Sequence, residues 1–335
     1  MLFEKNKIRD LELKNRVIMA PMCMYSSKED GKVTPFHVEH YVTRAVGGVG
    51  LIITEATSIS PDGRISNQDL GIWNDDQVKE FKKLITRVHS YDAKIGIQIA
   101  HAGRKAEDCE EPLAPSQIKF SEKYKMPKKL STQDIIDIKN EFLNAIKRSV
   151  EAGFDMIELH AAHGYFINQM LSPFSNKRED IYGGSFENRN RFLLEVVKEA
   201  RKFYKGVIFV RLSAVDYEDT GFTLEDCIKL CKELKKLDVD VIDVSTGGNS
   251  TNYTNAIYPG YQIEYAKEIK EKAHISTSAV GMINTYEMAK HTLKRGDTDY
   301  ILLGRELLRN PYWTVNNAKK YENIDFMNKS YLRAY

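Results

Sequence analysis

The sequence predicts a single-domain (β/α)8 TIM barrel with long active-site loops. Eight short apolar segments, rich in β-branched residues, recur along the 335 residues, and each is followed by a longer segment with helical spacing. Continuous apolar strands are typical of a parallel sheet that helices cover on both faces. Eight strand–helix units in about 300 residues are what this barrel requires. No Ser/Gly-rich linker divides residues 1–335.

The apolar segments predict the strands, and the amphipathic segments between them predict the helices. Capping residues support three helix starts, at Ser131, Thr223 and Asn284. A doubly wound open sheet is the alternative, but it would more naturally show G-x-G-x-x-G after the first strand, where none occurs. The predicted strands cover residues 16–19, 51–55, 94–100, 155–159, 207–212, 241–245, 275–280 and 300–303, and the helices residues 36–47, 75–91, 132–152, 186–204, 223–237, 260–273, 284–295 and 306–320.

Two connections are longer than the others, residues 101–131 and residues 172–185. The first contains Pro112, Pro115 and Pro127, which favour irregular structure. Long loops that follow barrel strands usually build or cover an active site. We therefore expect these two loops to enclose the functional site.

Composition and charge exclude several classes of protein. The net charge of +2 provides no electrostatic reason to expect nucleic acid or an anionic membrane as a partner. The N-terminus lacks the apolar core of a signal peptide, and no segment approaches the ~18 apolar residues of a membrane span. The cysteines form no C-x-x-C pair, which disfavours a disulfide scaffold or zinc ribbon, and Cys227 and Cys231 are expected to fill the core. We expect a reduced, cytoplasmic protein.

The densest group of chemically active residues is His160-Ala161-Ala162-His163-Gly164-Tyr165, at the end of the fourth strand. Two imidazoles and a phenol can polarise a carbonyl and deliver a proton nearby. An H-x-x-H can also be half of a metal site, or two histidines satisfied in a polar loop. A metal-dependent hydrolase would need further ligands on other strand ends. Only His101 is available there, so no metal is expected.

Polar residues and glycines gather at the other strand ends. Gln98 and Arg211 lie in apolar strands, where a polar side chain is costly unless paired, and Arg211 has Glu55 or Asp243 as a candidate structural partner. Glycines after strands seven and eight, followed by an arginine, match the phosphate site of such barrels. A flavin mononucleotide (FMN) fits this set, since its reduced ring carries negative charge, but so would another phosphorylated ring.

Long motifs, in order and in barrel register, resemble the Old Yellow Enzyme family of FMN-dependent ene-reductases, and within it the bacterial NADPH dehydrogenases. The resemblance runs from about residue 8 to the C-terminus. It rests on Ala20-Pro-Met-Cys-Met-Tyr-Ser-Ser27, Gln98-Ile-Ala-His-Ala-Gly-Arg-Lys-Ala106, His160-Ala-Ala-His-Gly-Tyr165, Leu171-Ser-Pro-Phe-Ser-Asn176, Tyr182-Gly-Gly-Ser-Phe-Glu-Asn-Arg189, Pro259-Gly-Tyr-Gln262, Ala279-Val-Gly-Met-Ile283 and Gly304-Arg-Glu-Leu-Leu-Arg-Asn-Pro311.

The resemblance implies a bound FMN. Cys23 resembles a cysteine that tunes the flavin potential and touches substrate, whereas a lone cysteine at a strand end would otherwise be a buried hydrophobe. Arg211 resembles the cation at the N1 edge of the flavin. The implied cofactor contacts are Ala20, Pro21, Met22 and Cys23 against the flavin, Ala56, Gln98 and Arg211 at its ring, and Gly281, Gly304 and Arg305 at its phosphate.

The resemblance also implies a ping-pong reaction on small molecules. NADPH would reduce the flavin, and hydride from flavin N5 would then attack the β-carbon of an enone, enal, nitroalkene or maleimide, or reduce quinones or nitro compounds. His160 and His163 would bind the substrate oxygen, where charge develops, and Tyr165 would protonate the α-carbon. The implied substrate-binding residues are Tyr25, Lys105, His160, Ala161, Ala162, His163 and Arg333. A non-catalytic flavin-binding protein is the alternative.

The C-terminal tail, residues 321–335, implies an oligomer. The subclass ends in Tyr-x-Arg-x-aromatic, and its arginine reaches into a neighbouring subunit's site. Here Arg333 occupies that position in Tyr331-Leu332-Arg333-Ala334-Tyr335, with Leu332 and Tyr335 where an acid and Trp are common. A frayed terminus is the other interpretation. We expect a homodimer or homotetramer in which Arg333 crosses to the neighbour.

Overall fold

The computed structural model describes residues 1–251, 257–323 and 326–334 and contains a closed barrel of eight parallel strands. Each strand pairs with the next along the chain, and the first pairs with the last, so the predicted TIM barrel is confirmed. In chain order the barrel strands β1 to β8 are Val17–Met19, Leu51–Ser58, Lys94–Ala100, Met156–Ala161, Val207–Ser213, Val241–Ser245, Ser276–Ala279 and Tyr300–Leu303.

Helices follow the strands and cover the outside of the barrel. Ser131 Oγ accepts a hydrogen bond from the Asp134 N–H (3.1 Å), and Thr223 Oγ1 accepts one from the Asp226 N–H (3.1 Å). The third cap is Thr285 rather than the predicted Asn284. The helices that follow β1 to β7 are Pro35–Val46, Asp75–His89, Thr132–Ala152, Phe186–Phe203, Leu224–Lys236, Ile263–Ala273 and Tyr286–Lys294.

The predicted helix 306–320 is wrong as a single element. It is divided into Arg305–Arg309, Trp313–Asn317 and a wider turn of helix at Ala318–Glu322. Pro311 separates the first two pieces, since proline has no N–H to donate and its ring clashes with the preceding helical turn.

Several short elements were not predicted from the sequence. An antiparallel hairpin, Asn6–Ile8 with Leu11–Leu13, precedes the barrel, and a six-residue helix, Phe166–Leu171, follows Tyr165 directly. These elements are too short for a periodic pattern to show. Others are the strand Leu70–Gly71, the pair Leu113–Ala114 with Lys128–Lys129, and the 3-10 turn Gly103–Lys105.

The barrel has two apolar layers. The outer one lies between strands and helices and includes Cys227 and Cys231, both fully buried, which confirms their predicted place in the core. The inner one is a separate cluster in which Ile8 and Leu13 of the hairpin pack with strand residues such as Phe209. None of the described helices is both long and apolar enough to cross a membrane.

Candidate active site

The end of β4 brings His160, His163 and Tyr165 together. The ring centroids of His160 and His163 lie 5.2 Å apart, and those of His160 and Tyr165 lie 5.0 Å apart, both edge-on. The chain can turn so sharply because His163 adopts φ +59° and Gly164 φ +72°. Gly164 is also confined, since a Cβ there would approach the Gly248 carbonyl to 2.2 Å.

Both imidazoles are held in defined orientations. The Ala162 N–H donates to His160 Nδ1 (3.3 Å), so the hydrogen of the neutral His160 ring lies on Nε2. His163 Nε2 lies 2.7 Å from Ser245 Oγ, and the His163 N–H donates to Ser213 Oγ (2.9 Å). Burial, followed by the Arg211 guanidinium, lowers the pKa of both histidines well below the usual value. Both rings are therefore neutral hydrogen-bonding groups near pH 7.

Lys105 lies beside Tyr165 and joins three loops. Its Nζ donates to the carbonyls of His163 (3.0 Å) and Gly248 (3.2 Å). The ammonium also stands over the rings of Phe120 (4.3 Å) and Tyr165 (4.8 Å), within cation–π range. Burial, with a smaller contribution from Arg104, lowers the pKa of Lys105 to about 8. Burial raises the pKa of Tyr165 well above its usual value, so the phenol keeps its proton.

Arg104 and Asn249 hold these loops together, a role that the sequence analysis missed. Arg104 is 1% exposed, and its Nη2 donates to the Asn249 backbone carbonyl (2.6 Å) and to Asn249 Oδ1 (3.0 Å). Asn249 Nδ2 in turn donates to Ser175 Oγ (3.0 Å) and Asp216 Oδ2 (3.1 Å). Arg104 stands in the quoted motifs, but Asn249 lies 145 residues further along the chain, so no local pattern indicates this pair.

Polar side chains fill the upper part of the barrel interior. Gln98 Nε2 donates to Glu158 Oε1 (2.8 Å), and Arg211 Nε lies 3.0 Å from Asp243 Oδ2. The strand register places Gln98 opposite Glu158, and Arg211 opposite Asp243. Of the two candidate partners predicted for Arg211, the structure therefore selects Asp243. Glu55 instead accepts hydrogen bonds from the Tyr41 hydroxyl (2.8 Å) and the Met24 N–H (3.2 Å).

The segment after β1 lies against the same site. Cys23 and Tyr165 both pack on a small apolar cluster that contains Ala56 and Ala100. Burial raises the pKa of the Cys23 thiol, and the carboxyl groups of Asp69 and Glu55 raise it further, so Cys23 is a thiol and not a thiolate. Tyr25, at φ +50°, is half exposed. Ala20 is buried, and Pro21 and Met22 are half-buried.

A cavity of about 300 Å³ runs from His163 to the ends of β7 and β8. Gly281 adopts φ +113°, a conformation that favours glycine. A Cβ at Gly304, which also lines the cavity, would stand 3.6 Å from Met22 Sδ. These groups fit a phosphorylated ring. Glycine backbone and the Arg305 guanidinium lie at one end of the cavity, and Arg211 lies at the other. The cavity is lined by His163, Arg211, Ser245, Tyr261, Gln262, Val280, Gly281, Met282, Ile283, Asn284, Leu302, Gly304, Arg305, Glu306 and Arg309.

Arg333 stands apart from this group of side chains. It lies in an exposed turn, Lys329–Ala334, while residues 324, 325 and 335 of the predicted tail are outside the described residues. Within the described part of the chain, no group of three or more His, Cys, Asp or Glu side chains is placed to hold a metal ion.

The barrel, its cavity and the paired histidines fit an enzyme that binds a phosphorylated ring. The family model described as the NADH:flavin oxidoreductase / NADH oxidase family matches residues 1–323. The chain belongs to this family, that of Old Yellow Enzyme, as its motifs predicted. Its cofactor is FMN, and the protein is an enzyme of the oxidoreductase class.

Two Bacillus proteins and two solved structures support this family assignment. The NADPH dehydrogenase of Bacillus cytotoxicus is 50% identical over 327 residues, which are 97% of this chain and 94% of that protein. The NADPH dehydrogenase of Bacillus subtilis is 50% identical over 95% of this chain and 94% of its own. Among solved structures, the Old Yellow Enzyme homologue from Zymomonas mobilis superposes with a TM-score of 0.83 at 27% identity, covering 99% of this chain and 95% of that one. Morphinone reductase in complex with tetrahydroNAD superposes with a TM-score of 0.81 at 28% identity, covering 93% and 89%.

Proposed function

We propose that this chain is an NADPH dehydrogenase that uses FMN to reduce activated alkenes such as enones, enals, nitroalkenes and maleimides, and also quinones or nitro compounds. The observation that carries the proposal is a pair of neutral imidazoles, His160 and His163, beside a protonated phenol, Tyr165, next to a cavity fit for FMN. The name shared by the Bacillus relatives supports NADPH as the reductant.

Gly281, Gly304 and Arg305, which line the cavity, would hold the phosphate of FMN. When bound, FMN would supply hydride transfer between NADPH and the second substrate in two separate half-reactions, which corresponds to ping-pong turnover. Arg211 favours negative charge at the ring, although Asp243 already offsets part of its own charge. The residues proposed to hold FMN are Ala20, Pro21, Met22, Cys23, Ala56, Gln98, Arg211, Gly281, Gly304 and Arg305.

His160 and His163 would hold the substrate oxygen. Charge develops on that oxygen as the alkene is reduced, and donors fixed where charge develops lower the barrier. The His160 Nε2–H is preset by the Ala162 N–H, so Ala161 and Ala162 contribute to the substrate side through the backbone of this turn. A neutral imidazole still carries one N–H, so each ring can donate one hydrogen bond to the substrate oxygen.

Tyr165 would donate a proton to the α-carbon. Its raised pKa keeps the proton available, and the nearby Lys105 ammonium stabilises negative charge on the phenol after transfer. Tyr25 and Lys105 would contact substrate as well. Cys23, held as a thiol, would tune the flavin potential rather than act as a nucleophile.

We further propose that residues 1–335 form one FMN-binding domain within a homodimer or homotetramer, and that Arg333 enters the neighbouring subunit's site. The exposure of Tyr331 (48%) and Leu332 (43%) beside Arg333 supports a tail that packs on another subunit. All four cysteines are free, which is consistent with a cytoplasmic protein.

An absorption spectrum tests the proposed activity. The purified protein is expected to show a flavin band that bleaches with NADPH in the absence of oxygen and returns when cyclohexenone is added. A band that bleaches but does not return would contradict enone reduction and favour quinones or nitro compounds. A colourless protein that FMN cannot reconstitute would refute the proposal.

A further inference from the structure

The barrel interior contains a carboxyl group that the proposed reaction leaves without a role. Glu158, in the middle of β4, is fully buried, as is Asp243, while Gln98 and Arg211 are 2% and 7% exposed. Asp243 already has two partners, Arg211 at 3.0 Å and Ser278 Oγ at 3.1 Å. Neither of these contacts of Asp243 involves Glu158.

Among the described residues, the Glu158 carboxyl makes one hydrogen bond, to Gln98. Its Oε1 accepts from Gln98 Nε2 at 2.8 Å, and its Oε2 is buried without a hydrogen-bond partner among the described residues. No described side chain or backbone group donates to Gln98 Oε1. The amide of Gln98 is thus held at one N–H, while its oxygen and its second N–H stay free.

The carboxyl of Glu158 is neutral in this position. Burial raises its pKa to about 8, with a further contribution from Asp243, against the opposing effects of Arg211 and Gln98. This shift favours the protonated carboxyl near pH 7, and because Oε1 accepts from Gln98 Nε2, the proton belongs on Oε2 and Oε1 is the carbonyl oxygen that faces the amide. A buried, half-satisfied carboxyl costs free energy that an apolar side chain of similar size would avoid, so its presence does not serve stability.

We propose that Glu158 is a positioning residue, which fixes the orientation of the Gln98 amide so that its oxygen, rather than its nitrogen, occupies the free acceptor position toward the cofactor ring. An amide can exchange its O and N ends by rotation, and the Glu158 contact selects one of the two orientations. The proposal rests on the proposed contact between Gln98 and FMN. The two residues face each other in adjacent strands, so the contact needs no mobile segment.

A double-mutant cycle on FMN affinity tests this proposal. Glu158→Met and Gln98→Met are prepared singly and together, and the FMN dissociation constant is measured by titrating FMN into each FMN-depleted protein. Each single variant is expected to weaken FMN binding about fivefold to tenfold, the effect of one hydrogen bond. The double variant is expected to bind no more weakly than Gln98→Met, because Glu158 acts through Gln98.

Two further measurements separate positioning from stability. Glu158→Gln keeps a neutral oxygen acceptor, so it is expected to bind FMN within twofold of the wild type. The FMN-depleted Glu158→Met protein is expected to melt at or above the wild-type temperature. If Glu158→Met does not fold, Glu158→Ala takes its place in the cycle.

Additive losses in the cycle, a Glu158→Gln variant as weak as Glu158→Met, or a lower melting temperature with unchanged FMN affinity would each overturn the positioning role. A wild-type protein without FMN affinity would instead refute the proposed function itself.

Discussion

The two ends of the cavity are built in different ways. At the proposed substrate end, after β3 and β4, the functional groups are side chains. Hydrogen bonds and ring contacts orient His160, His163 and Tyr165 there. At the phosphate end, after β7 and β8, Gly281 and Gly304 leave space for a ligand to approach the backbone. Under the proposed function, this barrel would carry its chemistry and its cofactor anchoring on different strands. Variants at the two ends should therefore fail in different measurements.

The largest effect is expected at the substrate end. Tyr165→Phe removes the proposed proton donor, so oxidation of reduced flavin by cyclohexenone should slow by about 100-fold or more, the range typical of a lost general acid. Flavin reduction by NADPH should stay nearly unchanged, and so should FMN content. Stopped-flow absorbance measures both half-reactions, with Tyr91→Phe at the opposite end of the barrel as the control. Equal damage to both half-reactions would argue against a specific proton donor.

Arg305→Ala tests the phosphate end. Loss of a charge-assisted contact to phosphate should weaken FMN binding by about tenfold or more. At saturating FMN both half-reactions should proceed at near wild-type rates, because Arg305 lies away from the histidines. Arg295→Ala, an exposed arginine paired with Asp297, is the matched control. A variant with unchanged FMN affinity would remove Arg305 from the site.

Lys105→Met tests a residue that holds the His163 and Gly248 loops and lies beside Tyr165. The change removes hydrogen bonds to the His163 and Gly248 carbonyls and the cation over Tyr165. Oxidation of the flavin by cyclohexenone should slow by about fivefold, the effect of one such interaction, with FMN affinity preserved. Lys119→Met serves as the control, because the Lys119 ammonium pairs with the exposed Glu122 in the same loop. A loss of FMN affinity equal to the loss of rate would contradict this assignment.

Cys23→Ala should have the smallest effect on turnover. Since Cys23 is a half-buried thiol whose pKa is raised, its removal should shift the flavin midpoint potential and change the enone rate by only about twofold to fivefold. Spectroelectrochemical titration of the variant, compared with Cys109→Ala, measures the shift. Complete loss of activity would mean that Cys23 is a nucleophile.

The difference between the two ends also explains what could be predicted from the sequence. His160, His163 and Tyr165 are contiguous, and Gly281, Gly304 and Arg305 follow two clear strands, so both groups could be found by reading strand ends. All eight barrel strands were predicted, with bounds that differ from the structure by up to three residues. The ends of these strands can be located in the sequence because the apolar segments stop there.

Contacts between distant strands could not be predicted from the sequence. The Gln98–Glu158 pair depends on parallel register between strands 60 residues apart, and the Arg104–Asn249 pair joins loops 145 residues apart. For Arg211, composition left both Glu55 and Asp243 as candidates, and only the register of β5 with β6 selected Asp243. Local periodicity does not specify which polar groups meet across a sheet.

The most direct test of the separation between the two ends is the rate at which cyclohexenone oxidises NADPH-reduced flavin, measured side by side in Tyr165→Phe and in Arg305→Ala at saturating FMN. The expected result is a rate about 100-fold lower than wild type for Tyr165→Phe and within about twofold for Arg305→Ala. Similar losses in both variants would contradict the assignment of chemistry to the ends of β3 and β4 and of anchoring to the ends of β7 and β8.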